Sequence, residues 1–240
     1  MDDLYEVLNR VLEIHTDSLP DFDLNGNRYT ARSLTLVKPP LPEAVKIKTL
    51  SGLVDLITAL GLKDVFVHVE SPGTVSVSAT APNVAAERAL FVVSTKPELQ
   101  EFVFGQFYSP EEFAIALQSK FVADAGDITS LIVLASNVKQ EAVTVNEDDG
   151  FSQKISASAG VTLKHATVLK PRVMLAPWRT FPEVDQPVSM FLFRARGGSP
   201  TELPKLALFE ADGGRWRKEA TENIARHLRT LIPDDVKIVS

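Results

Sequence analysis

Two hydrophobic periods run through this chain in blocks, and their grouping is what most restricts its fold. Runs of period two, such as Asp64–Glu70 and Thr74–Thr80, stand beside one another, and stretches of period 3.6 stand apart from them. A doubly wound parallel sheet requires strands and crossover helices to alternate one for one. Grouping instead predicts an α+β fold of mixed, largely antiparallel sheets with packed helices and an amphipathic C-terminal helix.

The pattern can be read along the chain. Asp3–Ile14 carries Leu4, Val7, Leu8, Val11 and Leu12 at helical spacing, suited to a core or an oligomerisation helix. A short strand-like piece, Tyr29–Val37, leads to the stiff connector containing Pro39, Pro40 and Pro42. Thr49–Leu60 reads as a helix closed by Gly61. The two valine-rich runs flank Ser71-Pro72-Gly73 and form a hairpin, with a third strand at Arg88–Ser94. Ser109-Pro110-Glu111-Glu112 is the sharpest local signal. Serine caps, proline fits the first helical position, and Glu112 completes a capping box, so a helix runs to about Val122 and buries Phe113, Ile115, Leu117 and Phe121. A second helix follows at Asp127–Val138, with Ile128, Leu131, Ile132 and Leu134 inside. Glu147-Asp148-Asp149-Gly150 predicts the turn of another hairpin. Further strands fall at Val161–Val168, Val173–Leu175, Val188–Arg196 and Leu206–Glu210. The last helix spans Arg215–Leu231, with Trp216, Ala220, Ile224, Leu228 and Leu231 as its apolar stripe and Val236–Val239 as a returning edge strand. A boundary near Asp124–Gly126 would divide an N-terminal α+β region (1–123) from a β-rich C-terminal region (124–240); one continuous domain fits the pattern equally well.

Composition narrows the chemistry. With 240 residues, 45% of them hydrophobic, the chain has enough apolar surface for a core without covalent staples. It has no cysteine, which removes disulfides, thiolate metal sites and cysteine nucleophiles. The acidic, amphipathic start lacks the features of a secretory signal, and no apolar run reaches the ~20 residues of a membrane helix. These features predict a cytoplasmic protein with no membrane partner. Charge is polarised: Lys164–Arg229 holds 12 basic and 7 acidic residues, the remainder 13 and 24, for a net −6.

The signatures of common catalysts are missing from the sequence. There is no glycine-rich phosphate loop followed by lysine and a hydroxyl, no histidine pair at metal-binding spacing and no Gly-x-Ser-x-Gly elbow. Glu210-Ala211-Asp212 lacks the lysine of a restriction-type nuclease site. No catalytic residue, metal site or cofactor is therefore assigned, although the Glu147–Asp149 and Glu210/Asp212 carboxylates would hold Mg²⁺ if brought together. Gly213-Gly214 reads as a turn with Asp212 as helix cap.

What stands out is the basic, aromatic block Lys170–Leu231, which contains both tryptophans, Trp178 and Trp216. Alternation puts Met190, Leu192, Arg194 and Arg196 on one strand face and Ser189, Phe191, Phe193 and Ala195 on the other. Arg172, Trp178, Arg179, Arg194 and Arg196 are the candidate binding residues, the guanidinium groups for phosphates and the indole for stacking. The same residues suit a protein hot spot. In a purely structural reading, Trp178, Phe191 and Phe193 are core and the arginines answer Glu183, Asp185 or Glu210.

The runs WRTFPEVDQPVSMFLFRARGG and ALFEADGGRWRKEA, with FYSPEEFAIALQSKF and EDDGFSQKISASAGV before them, resemble a family of phage and prophage proteins. The resemblance covers the second half and carries no active-site roles. It implies a viral product in the cytoplasm of an infected bacterium. The expectation is a non-enzymatic, homo-oligomeric accessory protein that binds nucleic acid or a host protein. Its rivals are an inhibitor or ligand sponge acting against a bacterial defence system, a carboxylate–Mg²⁺ enzyme and a virion component.

Overall fold

A computed structural model of the chain describes residues 22–29, 38, 40–83, 85–138, 142–148, 153–158, 167–169, 171–196 and 204–240. Among them the chain forms β1 (Phe22–Leu24), β2 (Asn27–Tyr29), β3 (Val45–Ile47), α1 (Leu50–Ala59), β4 (Val65–Ser71), β5 (Thr74–Ala79), β6 (Leu90–Thr95), α2 (Pro110–Lys120), α3 (Ile128–Val138), β7 (Ala142–Asp148), β8 (Gln153–Ser158), β9 (Thr167–Leu169), β10 (Arg172–Leu175), β11 (Ser189–Arg196), β12 (Lys205–Glu210), α4 (Arg215–Leu231) and β13 (Lys237–Val239). The fold class is α+β. One sheet has the order β13-β4-β5-β6-β3 and mixes antiparallel pairs with parallel ones at both edges; β10-β11-β12 and β7-β8-β9 are antiparallel.

Two apolar cores follow from the alternation. In the five-stranded sheet, Val65, Val67, Val69, Val75, Val77 and Val92 face α1 through Leu50, Leu53 and Ile57, and face α4 through Ile224, Ala225 and Leu228. In the three-stranded sheet, Val173, Leu175, Phe191, Phe193, Leu206 and Leu208 face Phe113 and Leu117 of α2 and Ile128 and Leu131 of α3. The expected boundary near 124–126 thus falls between two helices that share one core. Helix α4 and strand β13, from the C-terminal end, complete the sheet begun by β3–β6.

The crossover 176–188 between β10 and β11 joins the two cores. It leaves the three-stranded sheet, inserts Phe181 and Val184 into the other core, and returns. Buried Gln186 holds its shape. The amide oxygen accepts from the N–H groups of Arg179 (2.9 Å) and Thr180 (3.1 Å), and the amide nitrogen donates to the carbonyls of Phe181 (3.0 Å) and Val184 (3.1 Å). Thr180 donates from its hydroxyl to the Pro72 carbonyl in the β4–β5 turn. Glu183 accepts from the N–H groups of Leu50 (2.7 Å) and Ser51 (2.8 Å), capping α1 from a distant part of the chain.

Two expected caps are met at the atomic level: Ser109 and Glu112 form a capping box on α2 with Pro110 at its start, and Asp212 caps α4 by accepting from Gly214 (3.0 Å) and Trp216 (3.2 Å). Thr49, read as the first helical residue, instead caps α1. Others are corrected. Ile115 is 58% exposed, because two residues turn a helix by about 200° and place it opposite Phe113. Leu231 is 46% exposed at the end of α4, and Ile232 is buried in its place. Glu147 and Asp148, expected in the hairpin turn, belong to strand β7, paired with Lys154 and Gln153; Asp149 and Gly150 lie outside the described residues. The β1–β2 hairpin, absent from the sequence reading, turns on Asn25 (φ 54°) and Gly26 (φ 78°), the left-handed pair that such turns require. The expected helix at 3–14, and residues 30–37 and 161–166 of the expected strands, lie outside the described residues.

Candidate nucleic-acid interface

Cross-strand register builds a surface on the three-stranded sheet that no single strand shows. Residues directly opposite in an antiparallel pair share a face. Arg196 of β11 stands opposite Lys205 of β12, and Arg194 opposite Ala207. Leu192 lies between Arg172 of β10 and Phe209 of β12; Met190 lies opposite Met174. The other face holds Phe191, Phe193, Leu206 and Leu208 in the core. The outer face therefore carries Arg172, Arg194, Arg196 and Lys205, interleaved with Leu192, Met190, Met174 and Phe209.

Arg172, Arg196 and Lys205 are exposed, and Arg194 and Phe209 are half-buried. Arg196 lies over the Phe107 ring at 4.3 Å, and that ring meets Phe209 edge-on at 6.2 Å. Arg196 and Lys205 are like charges placed directly across a ladder, an arrangement that costs stability unless a negative group lies nearby. Glu112 at the start of α2 feels the field of Lys205. Hydrogen bonds from Ser109, first its side chain and then its backbone, hold the Glu112 carboxyl below its ordinary value, with Lys205 adding to the effect.

Arg179 does not join this face. It is buried, with Nη1 donating to Glu210 Oε1 at 2.6 Å and Nη2 donating to Ser189 Oγ at 2.6 Å. The guanidinium lies 4.0 Å from the centre of the Trp216 ring, with Phe191 and Phe104 at 5.6 and 5.9 Å. Burial pushes its pKa down to about 10, against the pull of Glu210 and Asp212, so it stays charged at neutral pH. Burial also pushes the Asp212 carboxyl up, but hydrogen bonds from Gly214, Ser189 and Trp216, with the charge of Arg179, leave it below its ordinary value. Arg179 is thus an internal tie between the crossover, β12 and α4.

Trp178 is half-buried and lies apart from the arginine face. With Leu99, Gln100, Lys120 and Pro182 it lines a separate cavity of about 420 Å³. Phe191 and Phe193 are core, as the structural reading expected. Of the five candidate residues, the structure brings Arg172, Arg194 and Arg196 together and leaves Trp178 and Arg179 elsewhere. Sequence reasoning missed Lys205, Phe107 and Phe209. The matched parity of Lys205, Ala207 and Phe209 signals a shared face, but the pairing of β12 with β11 decides which face it joins.

Among the described residues the expected carboxylate site is not assembled, and Asp149 lies outside them. Glu210 pairs with Arg179 and Asp212 caps α4, and among the described residues no three His, Asp or Glu side chains stand together as metal ligands. No helix among those residues is long and apolar enough to cross a membrane. No family model matches the chain, and neither a curated protein nor a solved structure shows significant similarity to it.

Proposed function

We propose that this is a phage-encoded, non-enzymatic accessory protein that binds single-stranded nucleic acid on the outer face of the β10–β12 sheet. The observation that carries the reading is the register itself, which sets Arg172, Arg194, Arg196 and Lys205 on one face among half-exposed apolar side chains. Cations supply phosphate contacts, and Phe209 and Phe107 supply rings against which unstacked bases pack. A sheet with this mixture suits an extended single strand, because a duplex keeps its bases stacked and offers only its backbone and groove edges. With a net charge of −6 the chain as a whole does not attract a polyanion, so binding at this face depends on the local cluster of cations.

The test is fluorescence anisotropy with labelled single- and double-stranded oligonucleotides over a range of salt. Single strands are expected to bind more tightly, with affinity falling linearly on a log–log plot. Arg172→Ala with Arg194→Ala is expected to lower that slope by about 1.4, from ~0.7 per lost phosphate contact. Trp178→Phe is expected to leave it unchanged. An unaltered slope in the double arginine variant would remove the reading.

A further inference from the structure

Trp178, which the arginine face leaves out, belongs to a second concave region. Its cavity of about 420 Å³ is lined by Leu99, Gln100, Ser119, Lys120, Trp178 and Pro182. The walls come from three stretches of chain: the segment between β6 and Phe102, the last turn of α2 and the 176–188 crossover. The first and last of these carry the chain between the two cores. Clefts of this size, ~300–1,000 Å³, formed where packed units meet, are the usual place for a small ligand.

Backbone bonds set the two decisive residues side by side. Phe121 and Pro177 form an antiparallel bridge. The Trp178 N–H donates to the Lys120 carbonyl (3.0 Å), and the Val122 N–H donates to the Ala176 carbonyl (2.8 Å). Trp178 and Lys120 are therefore anchored together before a ligand arrives, which lowers the cost of binding one. Both have capacity left. Trp178 is half-buried, and among the described residues no ring or guanidinium lies against its indole, in contrast to Trp216, which carries Arg179 and Arg217. Lys120 spends one N–H on the Glu101 carbonyl (3.2 Å), makes no ion pair with a described residue and keeps its other donors. That bond holds the ammonium on the Gln100 side of the cavity. The Glu101 carboxylate is paired with Lys96, and none of the described lining residues is acidic. Leu99 and Pro182 extend the apolar wall, and Gln100 and Ser119 are neutral.

We infer that this cavity binds a small aromatic anion, a flat ring bearing one acidic group. The indole, Leu99 and Pro182 receive the ring, and Lys120 receives the anion. A neutral ring forgoes the charge-assisted hydrogen bond, and an aliphatic anion forgoes the stacking. The site lies apart from the arginine face and does not depend on the nucleic-acid reading.

The test is isothermal titration calorimetry with naphthalene carboxylate, its neutral carboxamide, adenosine monophosphate and adenosine. The carboxylate is expected to bind about tenfold more tightly than the carboxamide. The same preference for adenosine monophosphate over adenosine would support a nucleotide as the ligand; a preference confined to the naphthalene pair would support an aryl acid. Lys120→Gln is expected to abolish the preference and Lys120→Arg to keep it. Ser119→Phe, at an exposed position, is expected to fill the cavity and abolish binding at an unchanged melting temperature. Arg172→Ala with Arg194→Ala is expected to leave both affinities as they are. The assignment is overturned by equal affinity for charged and neutral rings, by no binding of any of the four, or by a preference that survives Lys120→Gln and is lost in the double arginine variant.

Discussion

Arg179 and Arg194 belong to the same basic run, yet the fold gives them different surroundings, Arg179 buried and Arg194 half-buried on the outer sheet face. The Arg179 guanidinium is enclosed by Trp216, Phe191 and Phe104 and spans Glu210 and Ser189. Replacing it by alanine leaves Glu210 without its partner and a void beside the indole. Because Glu210 is itself part-exposed, the expected cost is about 2–4 kcal/mol in urea denaturation. Arg179→Lys is not expected to rescue, since an ammonium cannot span both acceptors or stack flat on the ring. Arg194→Ala and Arg196→Ala are expected to cost about 1 kcal/mol or less, as is usual at sites that are not core. Equal losses at all three positions would refute the distinction. Sequence alone lists these arginines as equivalents, because nothing local tells a buried guanidinium from a half-buried or exposed one.

Caps separate what is local from what is not. Ser109 and Glu112 stand three residues apart and close their box wherever the helix lies, so this cap was legible. The carboxylate that caps α1 is Glu183, far along the chain, and no spacing rule reaches that far. Burial pushes the Glu183 carboxyl up, and the N–H groups of Leu50 and Ser51 outweigh it, with the Ser51 hydroxyl and His227 adding to them, so its pKa lies below the ordinary value. A depressed carboxylate pKa contributes stability above the ordinary carboxylate pKa, and that contribution is lost as pH falls through the folded value. Glu183→Gln is therefore expected to cost about 1 kcal/mol at neutral pH, with the gap from wild type closing on acidification. Denaturant midpoints measured at pH 7 and pH 3 check it; a gap that stays constant argues against the carboxylate cap. Strand pairs follow the same division. The β4–β5 hairpin was legible because its turn is two residues long, whereas the parallel edges β3 and β13 depend on neighbours distant in sequence.

The two cores are joined three times, by the segment between β6 and Phe102, by the 176–188 crossover and by the passage from β12 into α4. Each carries the chain from one core to the other. Such coupling makes one cooperative unit of two cores. Unfolding followed by tryptophan fluorescence and by far-ultraviolet circular dichroism is expected to give coincident transitions. Gln186→Leu removes four hydrogen bonds inside the crossover, leaving only the Phe181 carbonyl another donor, the Val184 N–H, and is expected to cost about 3 kcal/mol or more and to separate the two transitions. A variant that stays coincident would mean that the other two passages suffice to couple the cores.

The sequence by itself determined the α+β class, most of the described elements between residues 49 and 231, two of the helix caps and the two faces of β11. Each of these depends on side-chain period or on groups a few residues apart, and short-range geometry settles them. Only the tertiary structure decided that Arg172, Arg194, Arg196 and Lys205 share a face, that Arg179 is internal and that Trp178 stands apart. Those outcomes depend on which strands pair, in what register, and which face the helices cover. These are choices among long-range contacts, and the energy that makes them is spread over two whole cores.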